Sequence, residues 1–197
     1  MIDDLASKPV LRRHALARRD LIEPEEAHAA AASIVAPAMA LVARLVGAGA
    51  IVSAYWPIRS ELSPRPLVEA LARQNYRTAL PVMKGAAKPL LFRAWAPGDE
   101  LAKGPLGLSE PLADAPEVEP DLMFLPLVCF DARGGRIGYG GGNFDATLAN
   151  LRARRKIPAI GLAFADQEIA AAPPEPHDQA LDFVITEAKV FDFGARG

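Results

Sequence analysis

The strongest chemical signal in this chain is RIGYGGGNFD, from Arg136 to Asp145. Consecutive glycines let the main chain take positive φ and bring its N–H groups close to an anion. Arg136 adds a full positive charge, and Asp145 is the kind of carboxylate that holds magnesium beside phosphate oxygens. The following ATLANLRARR reads as a helix, whose N-terminus would favour negative charge. No Lys-Ser/Thr follows the glycines, and G-x-G-x-x-G is not in its usual place after a first strand. Two readings stand on local grounds. One is a tight turn with Asp145 as a helix-capping acid. The other is an anion cradle with a neighbouring metal acid.

Other residues could join such a site. Lys8 and Arg12 stand four apart in a segment that also carries Arg13, Arg18 and Arg19. Their shared helix face is either solvated or reaches phosphates. Glu61 follows a strand by a few residues, where it either faces solvent or accepts hydrogen bonds from a heterocycle. Tyr55, Trp56 and Phe144 either fill the core or wall a flat ligand. His177 and Asp178 precede a strand, where Asp178 is a second candidate metal carboxylate or a turn acid. Three histidines and one cysteine argue against zinc. That cysteine, Cys129, reads as a small buried hydrophobe in a chain from a reducing compartment.

These residues need elements to position them. Residues 8–20 and 24–46 read as helices, the second kinked or split by Pro37. Residues 50–56, 76–83 and 89–95 read as strands, and 63–75 as a helix. The segment 96–121 is rich in Pro, Gly and acid and reads as a long functional loop. LMFLPLVCF (122–130) is apolar throughout, as a strand covered on both faces would be. A helix over 146–155 and strands over 157–165 and 181–186 complete the alternation. The expected architecture is a single α/β domain over residues 1–197, a three-layer α/β/α sandwich with a largely parallel central sheet. Ligands would gather at the carboxyl ends of its strands.

Composition excludes several classes. The chain has 197 residues, 51% hydrophobic and 23% charged, with net charge −2, so no global charge points to nucleic acid or membrane. The alanine-rich stretch from Ala27 to Val46 is preceded by acids and interrupted by Pro37 and Arg44. It reads as neither signal peptide nor membrane span, and a cytoplasmic protein is expected.

Taken together, the motifs resemble the 5-formyltetrahydrofolate cyclo-ligase (methenyltetrahydrofolate synthetase) family. The matching pieces are KPVLRRHALARRD, YWPIRSELSPRPLVEAL, ALPVM, GPLGLSEP, DLMFLPLVCFDARGGRIGYGGGNFDATL, IGLAFADQ and PHDQALDFVIT, in that order. The resemblance implies a three-layer α/β sandwich that uses ATP and Mg2+ to turn 5-formyltetrahydrofolate into 5,10-methenyltetrahydrofolate. It implies Lys8 and Arg136 as catalytic residues, and Lys8, Arg12 and Arg136 with Gly138, Tyr139, Gly140, Gly141, Gly142, Asn143 and Phe144 around ATP. It further implies Trp56, Glu61, Tyr139 and Asn143 around the folate, and Asp145 and Asp178 on the metal. A reduced formyl folate is the expected partner of a monomer, with no nucleic acid or membrane. Asn143, Phe144 and Ala146 depart from the commoner aromatics and arginine of this family. They leave room for a non-catalytic folate-binding relative, or an ATP-dependent enzyme for another N-formyl or amide substrate.

Overall fold

The computed structural model describes residues 7–104 and 107–194. The chain forms helices α1 (Lys8–Arg19), α2 (Pro24–Ser33) and α3 (Val35–Leu45), then strand β1 (Ile51–Ser53) and helix α4 (Arg65–Arg73). Strands β2 (Arg77–Val82), β3 (Leu91–Ala94), β4 (Leu101–Lys103), β5 (Ser109–Pro111) and β6 (Glu117–Val118) follow. Next come β7 (Leu122–Pro126), β8 (Cys129–Asp131), β9 (Arg136–Ile137) and helix α5 (Asn143–Arg152). The chain closes through β10 (Ala159–Leu162), a 3₁₀ turn (Ala165–Gln167), β11 (Glu168–Ile169), β12 (Phe183–Ile185) and β13 (Val190–Asp192).

Eight strands form the main sheet in the order β13-β12-β10-β7-β1-β2-β3-β6. The five from β12 to β2 are mutually parallel. At one edge β13 runs antiparallel to β12, and at the other β3 runs antiparallel to β2 and the edge strand β6 antiparallel to β3. Side chains alternate across a strand, and here the alternation separates two cores. Leu122, Phe124, Ile160, Leu162, Phe183 and Ile185 pack with α2, α3 and α4, through residues such as Ile34, Val42 and Leu67. Met123, Leu125, Ala159 and Val184 pack on the other face with Leu148 and Leu151 of α5. The fold is therefore a three-layer α/β/α sandwich with a largely parallel sheet, as expected. Each fully buried Leu or Phe in these layers contributes about 2–3 kcal/mol relative to an exposed one.

Helix α1 lies outside the two main layers. Its Leu11 and Ala15 pack with Val128, Cys129 and Ile137 of a small sheet, β11-β8-β9. That sheet stands beyond the carboxyl end of β7, so α1 crosses the edge where ligands gather in parallel sheets. The second predicted helix is split, at Ile34. Pro37 sits in the first turn of α3, where its missing N–H costs no helical hydrogen bond. By length and composition the stretch Pro24–Leu45 could cross a membrane, yet it is two helices whose Ala30, Ile34, Ala38 and Leu41 lie in the core.

Two sequence expectations need correction. LMFLPLVCF is two strands separated by Leu127 and Val128, not one. The segment 96–121 is not a plain loop: it carries the β4–β5 hairpin and the edge strand β6. Glu110 fastens the hairpin to the end of β2, its buried carboxylate accepting the Met83 N–H at 2.9 Å. Two residues of the GPLGLSEP motif, Pro105 and Leu106, lie outside the described residues.

Candidate active site

The segments leaving the carboxyl ends of β1, β2 and β7 meet α1 and the chain after the 3₁₀ turn. On α1, Lys8 and Arg12 share a face with Arg19, spaced at eleven, seven and four residues. Lys8 Nζ donates to both oxygens of Asp178, at 2.6 and 2.8 Å, and to Glu175 at 2.8 Å. Partial burial alone would lower its pKa, but its bonds to these carboxylates outweigh that and raise it. Arg12 Nε donates to the Gly138 carbonyl at 2.6 Å. Its guanidinium lies so close to Gly140 that a Cβ there would stand 3.4 Å from Nη2. Gly140 and Gly142 both have positive φ, at 96° and 66°. The glycines thus make a curved loop that side chains would resist.

Gly142 caps α5, which begins at Asn143 rather than three residues later. Asp145 sits in its first turn, a favourable place for negative charge. The Arg136 side chain is only 6% exposed and donates to Asp145 at 2.8 Å. Its other arm donates to the Gln179 carbonyl, while the Gln179 N–H donates back to Asp145 at 2.9 Å. Burial lowers the Arg136 pKa, with Asp145 and Asp178 pulling the other way. Arg136, Asp145, Lys8 and Asp178 therefore form one electrostatic cluster across α5, α1 and the 175–179 segment. Glu175, His177 and Asp178 place ligand atoms within 4.8 Å of one another, a donor set that fits a divalent ion. Asp145 is not in that triplet and faces Arg136 instead.

A second group lies under the loop that follows β1. Glu61 is 9% exposed, and its carboxylate accepts the Ile58 N–H at 2.9 Å. Burial pushes its pKa from 4.5 up to about 7, against the lowering pull of Ile58 and of Arg19. Tyr55 is buried nearby and donates to the Leu62 carbonyl at 2.6 Å. Tyr139 leaves the glycine loop towards this group, its ring 5.7 Å from the guanidinium carbons of both Arg19 and Arg59. Trp56 packs edge-on against Trp95 at 5.5 Å and carries Arg65 at 5.0 Å over its ring.

The structure shows a structural contact for Asn143 that the sequence does not reveal. Its side chain is buried, and its Nδ2 donates to the carbonyls of Gly85 and Lys88 at 2.6 and 2.9 Å. Ala87 N–H donates to the Gly141 carbonyl, and Leu90 N–H to Thr147 Oγ1. Asn143 thus pins the 85–90 segment against the glycine loop. Phe144 packs into the core beneath α5. Sequence reasoning missed Arg19, Glu175 and Gln179. Arg19 had a usable signal, since it lies eight residues after buried Leu11 on the inward stripe of α1. Gln179 acts through its backbone, which no residue type announces.

Comparison with known proteins bears on the family and the fold. Residues 4–187 match the 5-formyltetrahydrofolate cyclo-ligase family model. The chain is 36% identical over 147 residues to the 5-formyltetrahydrofolate cyclo-ligase of Escherichia coli strain K12, covering 72% of this chain and 80% of that one. It is 35% identical over 135 residues to the protein of that name from Haemophilus influenzae, covering 66% and 72%. The solved structure of Aquifex aeolicus 5,10-methenyltetrahydrofolate synthetase superposes with a TM-score of 0.78 at 25% identity, over 96% of this chain and 94% of that one. A Mycoplasma pneumoniae synthetase of 22% identity shares the fold, with a TM-score of 0.73 over 92% and 99%. By motif, fold and match along nearly its whole length, the chain belongs to the 5-formyltetrahydrofolate cyclo-ligase family.

Proposed function

We propose that this chain is a single-domain, monomeric cytoplasmic enzyme that converts 5-formyltetrahydrofolate to 5,10-methenyltetrahydrofolate, consuming ATP and releasing ADP and phosphate. Beyond family membership, one observation supports the reading: Arg12 holds the curved glycine loop at Gly138, Lys8 and Arg136 meet beside it in one cluster with Asp178 and Asp145, and Tyr139 of that loop bonds Arg19, which attracts the buried Glu61.

The substrate's formyl group is an amide, a poor electrophile until its oxygen becomes a leaving group. The formyl oxygen attacks the γ-phosphorus of ATP, and ADP departs. N10 then attacks the formyl carbon, loses its proton, and the bond to the phosphorylated oxygen breaks. Phosphate leaves with the former formyl oxygen, and the methenyl bridge remains. The protein's contribution is positioning and charge neutralisation. Lys8 and Arg136 would stabilise charge on the phosphoryl group in transfer, and Arg12 would hold the glycine loop in its curve. Glu61 would accept hydrogen bonds from the N–H groups of the pteridine ring, with Trp56 and Tyr139 as neighbouring walls. The Glu175, His177 and Asp178 donor set, with Asp145 nearby in the same cluster, supports a Mg2+ site. Magnesium would bind phosphate oxygens and neutralise their charge. Asn143 holds the 85–90 segment in place, which supports its compatibility with activity.

The test is a spectrophotometric assay with ATP, magnesium and 5-formyltetrahydrofolate. Growth of the methenyl absorbance that requires all three is the expected result. A protein that binds the folate without turnover is a non-catalytic relative. ATP hydrolysis on another N-formyl compound without methenyl formation would mark a different substrate.

A further inference from the structure

Arg19 ends α1 and is 1% exposed. Among the described residues no carboxylate makes an ion pair with it. Its guanidinium instead joins three segments. Nε donates to Ser60 Oγ at 3.1 Å, Nη1 to the Leu127 carbonyl at 3.3 Å, and Nη2 to the Tyr139 hydroxyl at 2.5 Å. Ser60 adjoins Glu61, Leu127 follows the central strand β7, and Tyr139 stands inside the glycine loop. A buried cation without an ion pair is costly, and an aliphatic side chain would fill the space more cheaply.

We infer that Arg19 is a positioning residue that couples the Glu61 pocket to the glycine loop, so that folate and nucleotide bind cooperatively through Glu61, Arg19 and Tyr139. The inference rests on Glu61 as the pteridine site. In the free protein the buried Glu61 carboxyl resists ionisation, and its attraction for Arg19 is partial. Hydrogen-bond donors of a bound pteridine hold it as carboxylate, and the full charge then draws on the guanidinium. Tyr139 follows, because its hydroxyl is bonded to Nη2. Tyr139 lies between Gly138, whose carbonyl is bound by Arg12, and Gly140, which Arg12 covers. One rearrangement therefore reaches the backbone that would face phosphates. By linkage, nucleotide tightens folate binding by the same factor.

Calorimetric titration with a non-hydrolysable ATP analogue, with and without saturating 5-formyltetrahydrofolate, reads the coupling. In the wild type, folate is expected to tighten nucleotide binding by about fivefold or more. In Tyr139→Phe and Arg19→Met the ratio should fall to about one. Tyr139→Phe keeps the ring of a partly exposed residue and carries the test if Arg19→Met does not fold. A pH series separates coupling from simple packing. Glu61 is faced by Arg19 from α1, Tyr55 after β1 and Tyr139 from the glycine loop, and Arg59 of its own loop lies over the Tyr139 ring. Removing the Arg19 charge should move the midpoint of pH-dependent folate binding upward, and a merely structural role would leave it in place. An undiminished ratio in Tyr139→Phe overturns the inference. A wild type that binds both ligands independently also overturns it, while leaving the proposed reaction intact. A wild type that binds no folate removes both.

Discussion

The two ends of the site handle charge in opposite ways. At the phosphate end each cation already has a partner: Lys8 with Asp178 and Glu175, Arg136 with Asp145, Arg12 with a carbonyl. At the Glu61 end, a carboxyl and a guanidinium are both buried without an ion pair among the described residues. The first end is electrostatically satisfied, so its side chains are already held in position in the free protein. The second end carries an unfavourable charge state that a ligand with N–H donors would relieve. Where the free protein is least satisfied, ligand binding has most to gain.

The largest effect that can break this contrast comes from the acids of the phosphate end. Asp178→Asn is expected to lower turnover about a hundredfold to a thousandfold, by analogy with losing one charged contact to a transferring group. It should barely change the melting temperature, because Lys8 keeps Glu175. Asp145→Asn should also lower turnover, but it strands Arg136, a nearly buried cation, and costs stability on the order of 2–3 kcal/mol. Steady-state kinetics beside thermal melts of the two variants read both quantities. Equal stability losses would show that the phosphate end is not the self-satisfied cluster described.

A smaller effect sharpens the other side of the contrast. Glu61→Gln keeps an acceptor for the Ile58 N–H but removes the charge. Its apparent KM for folate should rise about tenfold to a hundredfold, as for a lost hydrogen bond to a charged group. Its stability should change in the opposite direction. Because burial raises the Glu61 pKa from 4.5 to about 7, the folded state holds that proton more tightly than the unfolded state. Stability is therefore lost as pH rises from about 4.5 to about 7, and the penalty is fully present above that. Glu61→Gln should accordingly be more stable than wild type at pH 8, by up to about 3 kcal/mol, and no more stable at pH 4. Thermal melts at the two pH values decide it, and equal stability at both would mean that Glu61 is not strained.

Much of the fold was legible, for identifiable reasons. Residues 122–126 are apolar at every position, because Leu122 and Phe124 face one core while Met123 and Leu125 face the other. That pattern alone places a buried parallel strand at the centre. The break after Pro126 was not legible, since Leu127 and Val128 are as apolar as the strands they separate. The β4–β5 hairpin hid in a Pro-, Gly- and acid-rich segment because its strands are three residues long, one of them Ser-Glu-Pro. The edge strand β13 was equally short and alternately exposed, too brief to show a period. The start of α5 depended on which of three glycines takes the left-handed turn before the helix, and the sequence does not mark Gly142 above its neighbours. In the site, the spacing of Lys8 and Arg12 showed that they share a helix face, but not what that face meets. Arg19 was passed over because a run of basic residues on a helix ordinarily means a solvated face, although its place on the stripe of Leu11 and Ala15 marked it as inward. That the Asn143 amide fastens the 85–90 segment was not legible, because its partners are backbone carbonyls far along the chain.

The proposed reaction turns on phosphorylation of the formyl oxygen before N10 attacks. It is tested most directly by supplying 5-formyltetrahydrofolate labelled with ¹⁸O in the formyl group and analysing the phosphate released in a single turnover by mass spectrometry. The label is expected in phosphate, one atom per methenyl product formed. Unlabelled phosphate, with the heavy oxygen recovered in water or formate, would contradict it.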